Sequence, residues 1–138
     1  MRYAVVGGSA AAVSAVEAIR SVDRLAPIDL FSDEKTPLFS RVLLPYYVAE
    51  ELSKPLFNFR SADFFKENNI TPHMGTRVQE IISDSKTLVT EAGDTYEFDK
   101  LLLATGGNAI IPKIEGVDKE GISALKTMQD AEKIYHFK

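Results

Sequence analysis

Six residues near the start of the chain, Gly7-Gly8-Ser9-Ala10-Ala11-Ala12, are of the kind that leaves backbone N–H groups bare. A diphosphate needs such groups together with the positive end of a helix dipole, and the two coincide at a helix N-terminus. Gly7 suits a tight turn, and the small side chains from Ser9 to Ala12 admit phosphates to the backbone and let a helix lie close on a sheet. Ser32, Asp33 and Glu34 come next. Asp33 follows Gly7 by 26 residues, near the roughly 20 at which a carboxylate takes hydrogen bonds from a ribose. An acid at that place also argues against the 2′-phosphate of NADP. Set against G-x-G-x-x-G/A, alanine at the third place is permitted, but Ser9 stands at the second. Its hydroxymethyl group either crowds a phosphate or donates a hydrogen bond to it. The same segment also suits an ordinary α/β domain that binds no nucleotide.

The elements that must position these residues can be read from periodicity. Tyr3 to Val6 is a β-type apolar run that stops at the two glycines. Ala11, Ala12, Ala15, Val16, Ile19 and Val22 then recur at helical spacing, and Ile28 to Phe31 is a second apolar run ending at the acids. Strand, glycine turn, helix, strand, acid is the order of a dinucleotide-binding βαβ unit. Between Pro37 and Pro45 one long element is excluded, although Val42 to Ala49 has room for a short helix on either side of Pro45. Arg41 there suits a phosphate or flavin neighbour, since its fork matches phosphate oxygens, and equally suits a surface ion pair. Leu38, Phe39, Tyr46 and Tyr47 read as packing.

Ser61 to Asn68 is predicted to be a helix with Ser61 as N-cap and Phe64 and Phe65 facing inward. Ile70-Thr71-Pro72-His73 is a short strand that Pro72 confines to a sheet edge. The stretches Thr76–Ile82, Thr87–Thr90 and Thr95–Phe98, separated by polar turns, make a three-stranded antiparallel meander. The run Leu101-Leu102-Leu103 fits a central parallel strand buried on both faces. It ends in Ala104-Thr105-Gly106-Gly107, the small residues needed where backbone meets a ligand; a plain strand end with a glycine turn has the same pattern. The chain is irregular through Pro112 and Gly116, and a helix is predicted over Thr127 to His136.

Bulk composition excludes several classes. With 138 residues the chain has the size of one domain, able to bury roughly two-thirds of its unfolded surface. A net charge of −4 without a basic stripe excludes nucleic acid as a partner class. The absence of cysteine removes disulfides, thiolate metal sites and redox thiols from this chain. His73 and His136 are too far apart to suggest a metal site, and both read as solvated or structural. Arg2 before an Ala/Val-rich run faintly resembles a signal peptide, but Gly7-Gly8 and Glu17 interrupt it. No run reaches the ~18 apolar residues of a membrane span, so no membrane partner is expected and the cytoplasm is the expected compartment.

Taken together, the motifs resemble the flavin domain of the pyridine nucleotide-disulfide oxidoreductase superfamily, in particular NADH-dependent rubredoxin and ferredoxin reductases and the nitrite reductase large subunit. The residues that carry the resemblance are Gly7 to Ala12; Ser32-Asp33-Glu34; Pro37-Leu38-Phe39-Ser40-Arg41 with Leu44-Pro45-Tyr46; Gly75-Thr76-Arg77-Val78; and Tyr96-Glu97-Phe98-Asp99-Lys100 running into Ala104-Thr105-Gly106. Ile114-Glu115-Gly116 and Thr127-Met128-Gln129-Asp130-Ala131 continue it, so that it spans the chain in order.

The resemblance implies an α/β fold: a Rossmann-like FAD-binding domain with a parallel sheet and a small antiparallel β-meander. It implies FAD as cofactor and NAD(P)H as co-substrate in the full-length protein, with electrons leaving to a redox protein such as rubredoxin or ferredoxin. Gly7, Gly8, Ser9, Ala10, Ala11 and Ala12 would meet the pyrophosphate, and Asp33 or Glu34, beside Ser32, the adenosine ribose. Ser40 and Arg41 would lie along the phosphates or flavin, Arg77 and Val78 by the adenine, and Ala104, Thr105 and Gly106 by the pyrophosphate again. Val42 stands where the coenzyme A-disulfide reductase branch has its reactive cysteine, which favours relay through flavin alone. No residue is assigned as catalytic and none as a metal ligand. Residues 1–138 correspond to the N-terminal segment of the FAD domain; an NADH-binding domain and the C-terminal part of the FAD domain are expected outside this chain. The competing expectation is a non-catalytic subunit that keeps the fold and holds ADP or FAD structurally or not at all. Whether the protein is a homo-oligomer, and whether it takes NADH or NADPH, the sequence leaves open.

Overall fold

The computed structural model describes residues 1–35, 38–61 and 63–137. Pro37, one bracket of the predicted loop, and Ala62, inside the predicted helix from Ser61, lie outside the described residues. The chain forms two compact units, one of Met1–Phe39 with Phe59–Thr105 and one of Ser40–Asn58 with Gly106–Lys138.

The first unit is an α/β layer structure. Strand β1 (Tyr3–Val6) leads through the glycine turn into helix α1 (Ala10–Val22), and strand β2 (Ile28–Ser32) follows. Within the second unit a 3₁₀ turn (Arg41–Leu43) runs into helix α2 (Leu44–Val48). Back in the first unit come helix α3 (Phe64–Glu67), strand β3 (Ile70–Met74), strands β4 (Val78–Ile82), β5 (Thr87–Thr90) and β6 (Thr95–Glu97), and strand β7 (Lys100–Leu103). Strands β3-β2-β1-β7, in that order, form one parallel sheet, and β4-β5-β6 form a separate antiparallel meander. The predicted Rossmann-like sheet with a meander is therefore present, and Pro72 lies on the edge strand β3, opposite Leu30.

Alternation along β1 and β2 divides the core. Val5, Ile28 and Leu30 pack with Ala12, Val13 and Val16 of α1, and with Leu38, Phe64 and Ile70. Ala4, Val6 and Phe31 point to the opposite face, where Leu88, Tyr96, Ile81 and Leu101 of the meander and β7 cover them. Successive strand residues face opposite ways, so both faces must be apolar, as the unbroken runs in the sequence require.

An arginine ties the loops of this unit. The Arg20 guanidinium donates to the carbonyls of Asn68 (2.7 Å), Asp23 (2.9 Å), Ala26 (2.8 Å) and Asn69 (3.2 Å). It thereby joins the end of α1 to the entry of β2 and to the turn before β3. Beside it, the Ala26 and Leu25 N–H groups hold the Asp23 carboxyl below the usual carboxylate range.

Three expectations need correction. Strand β7 pairs only with β1 among the described residues and forms the second edge of the sheet, with Leu102 38% and Leu103 56% exposed. An apolar run reports the hydrophobicity of a strand but not how many neighbours it has. Val22 is 84% exposed, because the buried face of α1 runs through residues 12, 13 and 16. The helix expected from Ser61 is a single turn, Phe64–Glu67, with Asp63 at its N-cap. Ser61 instead closes a turn through its carbonyl to the Phe64 N–H, and Asn69, at φ 46°, stops the helix. Phe64 is buried and Phe65 packs against the same cluster, as expected.

The second unit is irregular and helical. Pro45 sits in the first turn of α2, where its missing N–H goes unused. Leu44 and Phe57 are buried, and Tyr47 stacks on Tyr135 (5.5 Å, 27°) while meeting Phe57 edge-on. Helix α4 (Met128–Phe137) opens on a reciprocal cap. The Thr127 N–H donates to Asp130 Oδ2 (2.8 Å), and the Asp130 N–H donates to Thr127 Oγ1 (3.1 Å). Burial works against the Asp130 charge, but these bonds, one from the Lys126 N–H and nearby Lys133 hold its carboxyl below the usual range.

Candidate functional site

The parallel strands of the first unit end at Val6, Ser32, Met74 and Leu103, and the candidate residues of that unit gather at this carboxyl edge. The Gly7 N–H continues the ladder to the Phe31 carbonyl (2.8 Å), and the Ala104 N–H donates to the Val6 carbonyl (2.7 Å). Gly7 has φ 134°, and a Cβ built there would lie 2.1 Å from the Ala104 carbonyl oxygen. At Gly8, whose φ is ordinary, a Cβ would lie 2.6 Å from Ser32 Oγ and 3.0 Å from Ser32 Cβ, with Leu38 Cδ2 at 3.5 Å. Both glycines are thus demanded by the chain's own packing at the turn. Of the groups that wall this turn, Ala104 is among the small residues the sequence marks for a ligand, whereas Leu38 reads there only as packing.

Ser9 is the N-cap of α1, with extended backbone (φ −127°, ψ −168°). Its carbonyl accepts from the N–H groups of Ala12 (3.0 Å) and Val13 (3.1 Å), yet its hydroxyl makes no capping bond. Ala10 and Ala11 are exposed, and Ala12 is fully buried under the helix. The first N–H groups of any α-helix lack partners within it. Here no side chain caps them and no acid stands in the first turn to neutralise the dipole. That combination suits an anion approaching over Ala10 and Ala11.

Next to this turn, Ser32 is 4% exposed, its Oγ accepting from the Glu34 N–H (3.2 Å) and its carbonyl from the Thr76 N–H (2.8 Å). The Glu34 carbonyl accepts from the Gly75 N–H, and the residue is half-buried. Asp33 turns outward: its side chain is 63% exposed, and its Oδ2 lies 4.0 Å from Nη1 of Arg77, which is itself 68% exposed. Of the three candidates near a ribose, Asp33 is therefore the one whose carboxylate faces solvent. Val78 directs its side chain into the cluster around Phe31 and Leu88. Ala104 is half-buried and Thr105 exposed.

Ser40, Arg41 and Gly106 belong to the second unit. There the Ser40 N–H donates to the Phe57 carbonyl (2.8 Å), and Arg41 Nη1 donates to the Lys126 carbonyl (3.0 Å). Gly106 has φ 69° with open space where a Cβ would stand. His73 is structural: it stacks on Phe31 (4.4 Å, 8°), and its Nε2 lies 2.9 Å from Asp29 Oδ1. Among the described residues no His, Cys, Asp or Glu group is arranged to hold a metal, and no helix is long and apolar enough to cross a membrane.

Comparison with known proteins adds an independent line. The chain is 32% identical over 133 residues to the NADH-dependent phenylglyoxylate dehydrogenase subunit epsilon of Aromatoleum evansii, covering 96% of this chain and 32% of that protein. It is 28% identical to a rubredoxin-NAD(+) reductase of Pseudomonas putida, covering 97% of this chain and 35% of the relative. In structure it matches an NAD-dependent persulfide reductase from A. fulgidus with a TM-score of 0.87 and 34% identity, over 99% of this chain and 27% of that one. The chain thus spans about a third, or less, of the proteins it matches. The family model described as pyridine nucleotide-disulphide oxidoreductase matches residues 1–137.

Proposed function

The chain belongs to the pyridine nucleotide-disulphide oxidoreductase family, and from that premise we propose that it is the FAD-binding portion of an NAD(P)H-dependent flavoprotein oxidoreductase. The observation that carries this reading is the start of α1: an uncapped helix end without an acid, reached through two glycines and overlain only by alanines. Backbone N–H groups from Gly8 to Ala11 would hold the diphosphate, with Ala104 and Thr105 closing the other side of the turn. Asp33 would accept hydrogen bonds from the adenosine ribose, since it is exposed where Ser32 is buried and Glu34 half-buried. Arg77 and the backbone at Val78 would flank the adenine. Ser40, Arg41 and Gly106 keep the phosphate or flavin roles that the family resemblance implies.

FAD, when bound, supplies the redox chemistry, taking reducing equivalents from a nicotinamide and giving them up to an acceptor. This chain's residues bind and orient it, and none is needed as a general acid or base. With valine at position 42, 78% exposed, no thiol of this chain takes part. The acceptor we propose is a small redox protein of the rubredoxin or ferredoxin kind, and the compartment the cytoplasm.

The test is a titration of the purified protein with FAD, followed by its visible absorption, and with ADP, followed by calorimetry. Binding of both is expected, with Asp33→Ala weakening ADP about tenfold, the effect of one charge-assisted hydrogen bond. Binding of ADP without FAD would support a non-catalytic nucleotide-holding subunit. Binding of neither would overturn the reading.

A further inference from the structure

Helix α4 uses its two faces differently. Met128 and Ala131 are buried, and Tyr135 stacks on Tyr47 of α2, so one face is given to packing within the second unit. On the other, Gln129, Glu132, Lys133, His136 and Phe137 line an open groove of about 580 Å³. Residues three and four apart lie along one side of a helix, which is how these five come to share a surface.

The charges of α4 are sorted in the same way. The Asp130 carboxylate is taken up by the N–H groups of Lys126 and Thr127, and Glu132 is half-buried. Lys133 and His136 are exposed. Phe137 is 59% exposed, and a Cβ on Gly121 would come within 2.8 Å of its ring; Ile122, next along, is 56% exposed. An exposed ring with an apolar neighbour and a cationic rim has the composition of an interface.

Charge and size select the occupant. The outward charge of this face is cationic although the chain as a whole carries −4, so it attracts an acidic partner that the remaining surface repels. One face of a ten-residue helix is too small for a permanent subunit contact, whereas electron-transfer encounters use the smallest interfaces. The helix is also tied to the loop assigned to the phosphates or flavin, since Arg41 Nη1 donates to the Lys126 carbonyl (3.0 Å) just before the cap. Resting on the flavin reading above, we propose that this face of α4 is the docking surface for the electron acceptor. That acceptor is a small acidic redox protein whose carboxylates meet Lys133 and whose apolar surface seats on Phe137.

The experiment is calorimetric titration of the protein with an acidic rubredoxin and an acidic ferredoxin, with FAD titrations and thermal melts of the same samples. At least one of the two should bind, more weakly as salt is raised. Lys133→Glu and Phe137→Ala should each weaken that binding about tenfold, at unchanged FAD affinity and melting temperature. Lys86→Glu, the same charge change on the meander, should weaken it less than twofold. Equal losses for Lys133→Glu and Lys86→Glu would reduce the effect to net charge and overturn the proposal. Binding that ignores both α4 variants would overturn it, as would binding of neither redox protein by a protein that binds FAD. Self-association abolished by Phe137→Ala would assign the groove to a second copy and overturn it too. Should Lys133→Glu lower the melting temperature, Lys133→Gln decides: weaker docking at the parental melting temperature supports the proposal, and parental docking overturns it. Failure of the unaltered protein to bind FAD would sink the flavin reading itself.

Discussion

Adding one methyl group at Gly7 and at Gly8 should give two different results, although the residues are adjacent and chemically identical. At Gly7 the new Cβ would fall 2.1 Å from a backbone oxygen, that of Ala104, whose N–H is tied to the Val6 carbonyl at 2.7 Å. Nothing there can rotate away. An L-residue at φ 134° costs about 1–3 kcal/mol by itself. Pushing β7 from β1 weakens a ladder hydrogen bond by about 1 kcal/mol more. Gly7→Ala should therefore lose about 3 kcal/mol, roughly 10 °C in melting temperature for a chain of this size.

At Gly8 the obstacle is the Ser32 hydroxymethyl group at 2.6–3.0 Å, and Leu38 at 3.5 Å is an ordinary contact. Gly8→Ala should cost about 2 kcal/mol, the usual price of overpacking. Ser32→Gly removes that obstacle at its own cost of about 2 kcal/mol, through the lost bond to the Glu34 N–H and glycine's extra freedom. In the double variant the alanine at position 8 should add less than about 0.5 kcal/mol, giving a favourable coupling of about 1.5 kcal/mol. Gly7→Ala combined with Ser32→Gly should be additive. Urea unfolding followed by circular dichroism measures all five variants. If Gly7→Ala is no worse than Gly8→Ala, or if Ser32→Gly fails to rescue position 8, the account of the turn is wrong.

Other expectations are as direct. Arg20→Met keeps the aliphatic stem but strands four carbonyls that now share one guanidinium, and should cost about 3 kcal/mol in urea unfolding. Arg20→Lys should recover little, since an ammonium cannot fork among them; full recovery would refute the clamp. The folded Asp130 carboxyl is held below its unfolded value, so its contribution is present above that unfolded value and is lost as pH falls from there through the lower folded one. Asp130→Asn should flatten this acid limb in part, because the lowered Asp23 and Glu17 carboxyls lose their contributions over the same range. Thr127→Ala, which opens the reciprocal cap from the other side, should cost about 1 kcal/mol at neutral pH in the same unfolding assay.

The first βαβ unit was readable from the chain because its causes are local. Two glycines after an apolar run, small residues at helical spacing and a second apolar run before Ser32-Asp33-Glu34 each constrain their own backbone. Pro72 foretold an edge strand for the same reason: a missing N–H is a property of the residue itself. The turns of the meander and the helix around Pro45 were legible likewise.

Position in the tertiary structure decided the rest. The leucines of β7 predict an apolar strand, but whether a neighbour pairs with its far side depends on chain that its own residues do not describe. The run through Val22 has helical spacing, yet the direction in which α1 meets the sheet left Val22 in solvent. Glycine at 7 and 8 was visible, but the reasons, a carbonyl 97 positions away from Gly7 and a hydroxyl 24 away from Gly8, were not. Among three neighbouring candidates for the ribose, strand pairing and a local turn buried Ser32 and left Asp33 outward. Sequence fixes what a residue is able to do through its backbone and its chemistry; contact between residues far apart in the chain selects which of those abilities is used.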